Sequence, residues 1–330
     1  MAEDYYVDFD AADDLANGLA PGTPMKYIQT AIDASTKDLS GGILTIHCMA
    51  TSGGGSTVAD NNPVVDLGAS GFTNASATNY IRIAPYTGYE PTSTGPQLDV
   101  YCNNKWGIVI DVADVTYTRI EGLQIRNTYA PGSAGSTRAL QVAQGSIVQN
   151  CILESPQFVL DNTGGGDQYI RNCLLLGKSA IADSCLVGST VNVFYEYCVF
   201  ADLSTAISAA TAGSDIDIKN CAFFNCDLIA KATDGGTWTG ANNAHETGDT
   251  LPSGPTGWVS GLVSGDFETA PDYRAVASGT LDGAGTVTGV TSTTDMFGTS
   301  RDGSTPDIGY YEIAASGTNE TILIPTGPIR

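Results

Sequence analysis

Positive charge is scarce in this chain. Lys and Arg number 14 against 36 Asp and Glu, a net charge of −22 at pH 7. A surface of that sign repels phosphate backbones and anionic headgroups, which argues against nucleic acid and membrane surfaces as partners. It favours solubility, cation binding or docking on a basic protein surface. Histidine is nearly missing, at two residues. His47 lies in an apolar, strand-like run beside Cys48 and fits a satisfied strand residue; His245 fits a loop, so a histidine-based nucleophile system has no obvious members. No run reaches the ~18 apolar residues of a transmembrane helix. Met1-Ala2-Glu3-Asp4-Tyr5-Tyr6 has neither a basic nor an apolar leader region, so no export signal is visible. There is no C-x-x-C pair and no histidine near most of the cysteines, which makes a structural metal a poor reading.

What is present is a repeat. Four segments end alike: Val148-Gln149-Asn150-Cys151, Ile170-Arg171-Asn172-Cys173, Tyr195-Glu196-Tyr197-Cys198 and Ile218-Lys219-Asn220-Cys221. The cysteines follow one another at 22, 25 and 23 residues, and Ile120-Glu121-Gly122-Leu123 fits the frame 28 residues upstream. Short alternating apolar runs at that period are the mark of a solenoid in which each repeat is one coil. The high glycine content, with Thr, Ser, Asn and Asp between apolar runs, suits many short strands and many turns. The expected fold is all-β, a right-handed parallel β-helix solenoid with a short N-terminal capping helix. Four of the eight cysteines share one repeat position and are expected to stack in the core as reduced thiols.

The pattern divides the chain into residues 1–40, an N-terminal loop and capping helix; 41–226, the coils; 227–313, irregular coils and a C-terminal cap; and 314–330, a tail. The helix is expected from Thr23 as N-cap and Pro24 at the first position, with Met25, Ile28 and Ile32 on one face. Strands are expected at 43–47, 80–84, 107–112 and 116–125, and projecting loops at 51–62, 86–97 and 130–138. In the tail, Thr321-Ile322-Leu323-Ile324-Pro325 is β-prone and apolar. Ile322, Leu323 and Ile324 are attachment candidates for a neighbour's sheet edge; a strand on its own domain or a frayed end fits as well.

Both ends carry a resemblance. Tyr5-Tyr6-Val7-Asp8, Pro21-Gly22-Thr23-Pro24 and Ile28-Gln29-Thr30-Ala31-Ile32 resemble the opening of parallel β-helix proteins of the pectate-lyase-like superfamily. Asp272-Tyr273-Arg274, Asp282-Gly283-Ala284-Gly285, Asp295-Met296-Phe297-Gly298, Arg301 and Pro306-Asp307-Ile308-Gly309-Tyr310-Tyr311-Glu312 resemble its closing region, with Tyr310 where alanine is usual. The resemblance implies the fold. It is weak for function, because the superfamily holds lyases, hydrolases, adhesins and virion spikes.

Strand alternation turns Gln149, Arg171, Glu196 and Lys219 outward, and two residues earlier Arg119, Ile147, Tyr169, Phe194 and Asp217. Such a face mixes rings and charges as sugar grooves do, so Tyr169, Phe194, Arg171 and Lys219 are glycan-binding candidates. A solvated face without ligand explains the same residues. For hydrolysis, Glu121 and Glu196 are three coils apart, about 14 Å, beyond the ~6.5–9.5 Å of inverting enzymes. Glu196 and Asp217, about 8 Å apart on adjacent coils, are the admissible pair, and Arg171 beside them imitates the basic group of a lyase. The G-H-G and R-I-K motifs of polygalacturonase-like enzymes are missing. Asp8-Phe9-Asp10-Ala11-Ala12-Asp13-Asp14 invites Ca²⁺ but breaks the D-x-D-x-D-G loop at Ala12. No cofactor is expected.

The first functional expectation is a non-enzymatic virion structural protein: a bacteriophage head decoration, spike or fibre, made in the host cytoplasm and displayed on the virion surface. Its partners would be virion proteins such as the major capsid protein or tail, with a host surface polysaccharide and a homotrimer as further possibilities. The second is a polysaccharide lyase or glycoside hydrolase acting on an acidic glycan, or an adhesin that binds one without turnover. Leu174 and Phe224, outward and apolar, are marked as candidate subunit contacts.

Overall fold

The structure, a computed structural model, describes residues 2–50, 56–58, 65–91, 98–102, 107–129, 137–177, 183–188, 190–209, 213–230, 236–268 and 273–313. The attachment candidates Ile322, Leu323 and Ile324 lie outside these residues. Each coil opens with a strand of sheet 1. Its nine described strands, all parallel, are Glu3–Asp8, Leu44–Met49, Ile81–Pro85, Thr118–Glu121, Ile147–Gln149, Gly166–Arg171, Val191–Glu196, Asp215–Lys219 and Thr237–Ala241. From there the chain enters sheet 2, nine described strands from Ser56–Val58 to Val259–Ser260, then sheet 3, seven from Val65–Asp66 to Leu228–Ala230. Parallel crossovers of this kind are right-handed almost without exception. The molecule is a right-handed parallel β-helix.

The corner from sheet 1 to sheet 2 is one or two residues long, and in six successive coils its first residue has a left-handed backbone: Gly122, Asn150, Asn172, Tyr197, Asn220 and Asn242, with φ from 49° to 65°. Glycine has no Cβ to clash there and asparagine tolerates the region, which explains four of the repeat's residues. Tyr197 is the exception. The next residue turns inward, and Cys151, Cys173, Cys198 and Cys221 stack in one buried column. Each thiol donates toward a carbonyl one coil back: Ile120, Val148, Ile170 and Tyr195, at 3.4–3.7 Å. All eight cysteines are buried and outside any disulfide, and burial pushes the thiols of Cys48, Cys185 and Cys226 up.

The expected strands are present with small changes. The run 116–125 is two strands, Thr118–Glu121 and Leu123–Asn127, because Gly122 turns the corner. Part of the expected loop 51–62 is a strand, Ser56–Val58, paired with Asp99–Tyr101 in sheet 2. His245 belongs to the strand Ala244–His245 and is buried on the interior column after Phe200 and Phe223, so it is no loop residue.

The capping helix is shorter than expected and runs Ile28–Ala34. Met25 is drawn into backbone pairing instead, donating its N–H to Tyr6 and accepting from Asp8. Thr23 therefore does not cap. Asp14 receives the Lys26 and Tyr27 N–H groups and the Thr30 hydroxyl, tying the loop to the helix entry. Ile28, Ala31 and Ile32 are buried over the first coils.

After Ser260 coiling stops, and the chain folds back over the outside of sheet 2. There Leu262, Phe267, Tyr273, Leu281, Met296, Ile308 and Tyr310 form a second apolar core with Leu174, Leu176, Val199, Ala201 and Ala222. Leu174 is 1% exposed, and Phe224 packs against Phe267 and Tyr273. The two residues marked for subunit contact are thus covered by their own chain. At roughly 1.5–3 kcal/mol per buried large apolar side chain, this flap is a substantial part of the fold.

Candidate functional site

On the outside of sheet 1 the rows stand as the repeat implies. Arg119, Ile147, Tyr169, Phe194 and Asp217 are in register, and so are Glu121, Gln149, Arg171, Glu196 and Lys219. The rings of Tyr169 and Phe194 stack, centroids 4.9 Å apart and 15° from parallel. The Arg171 guanidinium lies 4.8 Å from the Tyr169 ring centre.

The carboxylate pair is less open than strand alternation alone implies. Glu196 is 5% exposed because residues of the C-terminal flap cross above it. Its Oε2 accepts from the Thr291 N–H at 3.1 Å and the Thr291 hydroxyl at 2.8 Å, and lies 3.4 Å from Arg171 Nε. Asp217 accepts from Lys219 Nζ at 2.7 Å, and Lys219 also donates to the Gly289 carbonyl at 3.0 Å. Of the candidates, Tyr169 and Phe194 are the half-exposed pair that meets solvent beside a cleft. Glu196, Asp217, Arg171 and Lys219 are bound up with one another and with the flap.

That cleft, about 350 Å³, opens on the upstream side of the aromatic pair. It is lined by Tyr80, Tyr117, Arg119, Ile147, Asp167 and Tyr169, together with Gln144, Gly145 and Gly166. Two of the lining glycines have no room for a side chain. Gly145 is left-handed at φ 73°, and a Cβ on it would meet the Tyr117 ring at 2.5 Å. Gly166, at φ 67°, would strike Gln144 at 2.6 Å.

Charge inside the cleft is unusual for this chain. Arg82, Arg126, Arg138, Arg171, Arg274 and Arg301 each pair with a carboxylate. Arg119 has no carboxylate partner among the described residues; it lies over the Tyr80 ring at 3.8 Å. Across the cleft, Asp167 is exposed and accepts from Asn192 Nδ2 at 2.8 Å. Burial, then the Asp167 charge, pushes the Tyr169 hydroxyl up. The site therefore offers flat rings, one uncompensated cation and one carboxylate, which suits a hydroxyl-rich ligand with a negative group. The cleft residues Tyr80, Tyr117 and Asp167 were not singled out in the sequence. Their signal was available, since each precedes an outward residue of the ladder (Arg82, Arg119, Tyr169) by two positions.

The acidic run near the N-terminus is spent on the chain itself. Asp8 accepts from the Asp10 N–H, Asp13 from the Leu15 N–H, and Asp14 serves the helix. Among the described residues no group of three or more His, Cys, Asp or Glu side chains is gathered as a metal site.

No family model matches the chain, and no curated protein sequence matches it. Among solved structures it is similar to pectate lyase Pel9A, at a TM-score of 0.50 and 11% identity, over 94% of this chain and 96% of that one. At that identity the likeness shows a shared fold.

Proposed function

We propose that this chain is a non-enzymatic β-helix protein that binds an acidic polysaccharide on the outer face of sheet 1. The observation that carries the reading is Arg119, stacked on Tyr80 without a carboxylate partner among the described residues, in a cleft that ends at the Tyr169–Phe194 ring pair. Rings stack on sugar faces and a free guanidinium grips a carboxylate. Binding without turnover is favoured over lyase or hydrolase action by the state of Glu196 and Asp217, each held in a local ion pair, with Glu196 roofed by Thr291.

The test is a panel of acidic glycans assayed both for binding and for release of reducing ends or unsaturated uronates. Binding without product, weakened about tenfold or more by Tyr169→Ala and by Arg119→Ala, is expected. Turnover lost in Glu196→Gln or Asp217→Asn would establish the enzyme reading instead. As the setting for this activity we propose the outside of a bacteriophage particle, with residues 314–330 as the arm. The support is the net charge of −22, complementary to a basic protein surface, and the apolar run Ile322-Leu323-Ile324. Deleting 314–330 is expected to abolish particle binding, and retained binding overturns that setting.

A further inference from the structure

A second aromatic group stands on the same outer face, at the N-terminal end of sheet 1. Tyr6 and His47 occupy adjacent coils in register, their rings stacked with centroids 4.9 Å apart and 17° from parallel. Tyr86 meets both edge-on, at 5.4 and 5.7 Å. His47 Nε2 is 3.0 Å from Asp4 Oδ1, which fixes the imidazole plane and sets a half-exposed carboxylate beside the rings. The three rings are neither fully buried nor part of the main apolar core. They form a shallow, ring-walled surface whose polar edge is the Asp4 carboxylate, where the cleft near Tyr169 has Arg119 as well as Asp167.

The two groups are related by the solenoid's own ruler. Five rungs separate the Tyr6–His47 pair from the Tyr169–Phe194 pair, which is about 24 Å at ~4.8 Å per rung. Two adjoining columns of outward residues run between them: Thr45, Arg82, Arg119 and Ile147 lead to Tyr169, and Ala84 follows His47, with Glu121 and Gln149 beyond it. The two ring pairs stand in adjoining columns of the same face, so an extended ligand that touches both crosses the strip at a shallow angle.

We infer that Tyr6, His47 and Tyr86 form a distal subsite for the same polysaccharide, so that one glycan chain lies along sheet 1 and touches both ring groups. This rests on the cleft reading above. Its consequence is length dependence: once the cleft is filled, the distal contact becomes intramolecular and adds affinity only for chains long enough to reach it.

The experiment is calorimetric titration of the full chain with oligogalacturonates from dimer to octamer. For the unaltered protein, affinity is expected to rise at least about tenfold between tetramer and octamer. Tyr6→Ala and Tyr86→Ala are expected to remove that rise while leaving dimer and tetramer affinity unchanged, and Tyr6→Phe to keep it. Tyr169→Ala is expected to weaken every length. If the rise persists in both Tyr6→Ala and Tyr86→Ala while Tyr169→Ala weakens every length, the distal subsite is overturned and the cleft stands. If no length binds the unaltered protein, both fall. Thermal unfolding of each variant separates a lost contact from a lost fold, and Tyr86→Ala, changed outside the strands, gives a readout should Tyr6→Ala unfold.

Discussion

Arg301 lays its guanidinium over the ring of Tyr197, 3.7 Å from its centre, and this stack fastens the C-terminal flap to the solenoid. The same guanidinium donates to Glu312 at 3.2 Å, to the Asn172 side chain at 3.0 Å and to the Gly309 carbonyl at 2.9 Å. Tyr197 in turn donates its hydroxyl to the Thr286 carbonyl at 3.2 Å. A tyrosine with φ 55° is costly, by roughly 1–2 kcal/mol. Contacts made by its ring face and its hydroxyl offset that cost.

Arg301→Ala is expected to destabilise the protein by about 3–5 kcal/mol, because it leaves buried Glu312 without its cation. Arg301→Lys should recover only part, since an ammonium can neither fork to two acceptors nor stack flat. Urea unfolding measures both. A loss under about 1 kcal/mol for the alanine variant would mean the flap is held elsewhere.

Two carboxyls of the flap make opposite contributions with pH. Burial pushes Asp307 up to about 6, against roughly 3.9 in an unfolded chain. The folded state thus keeps a proton that the unfolded state has released. Its stabilising effect is full below about pH 4 and is lost as pH rises through about 6. Asp302, held down to about 2 by hydrogen bonds from the Ser304 hydroxyl and nearby N–H groups, contributes above roughly pH 4 and loses its effect as pH falls toward 2. Unfolding midpoints across that range should show both slopes, and Asp307→Asn should flatten the upper one alone.

Gly145→Ala tests the cleft lining at its contact with Tyr117. A Cβ at that position strikes the Tyr117 ring and sits at φ 73°, so the expected cost is above about 1 kcal/mol of stability, with the ring displaced. Weakened glycan binding should accompany it. Gly213→Ala is the control, since it shares a positive φ but has open space around the added carbon; it should lose some stability and no binding.

The buried cysteine column predicts a thiol titration. The native protein should react with essentially none of its eight thiols, and the unfolded protein with all of them. Rapid labelling of Cys151 or Cys173 in native buffer would contradict the stacked column.

The coil register was legible because one position has a backbone requirement. Asn150, Asn172 and Asn220 mark left-handed corners, and the cysteines after them can only point inward. From those two facts the outward rows follow residue by residue. What covers a row does not follow. Alternation turned Leu174 and Glu196 outward correctly, yet a flap more than ninety residues downstream covers both, and no local pattern encodes that contact. The helix start failed for a similar reason: Thr23-Pro24 has good capping propensity, but Met25 pairs with the strand at Tyr6–Asp8 and takes the segment out of the helix. The cleft residues were a matter of looking two positions earlier in a register already in hand.

The most direct measurement is hydroxyl-radical footprinting of the full chain with and without a saturating acidic glycan. Tyr80, Tyr117, Tyr169 and Phe194 should become protected together, while Tyr27 on the capping helix's approach does not change. Protection confined to other faces, or none at these four rings while the glycan is bound, would contradict the account.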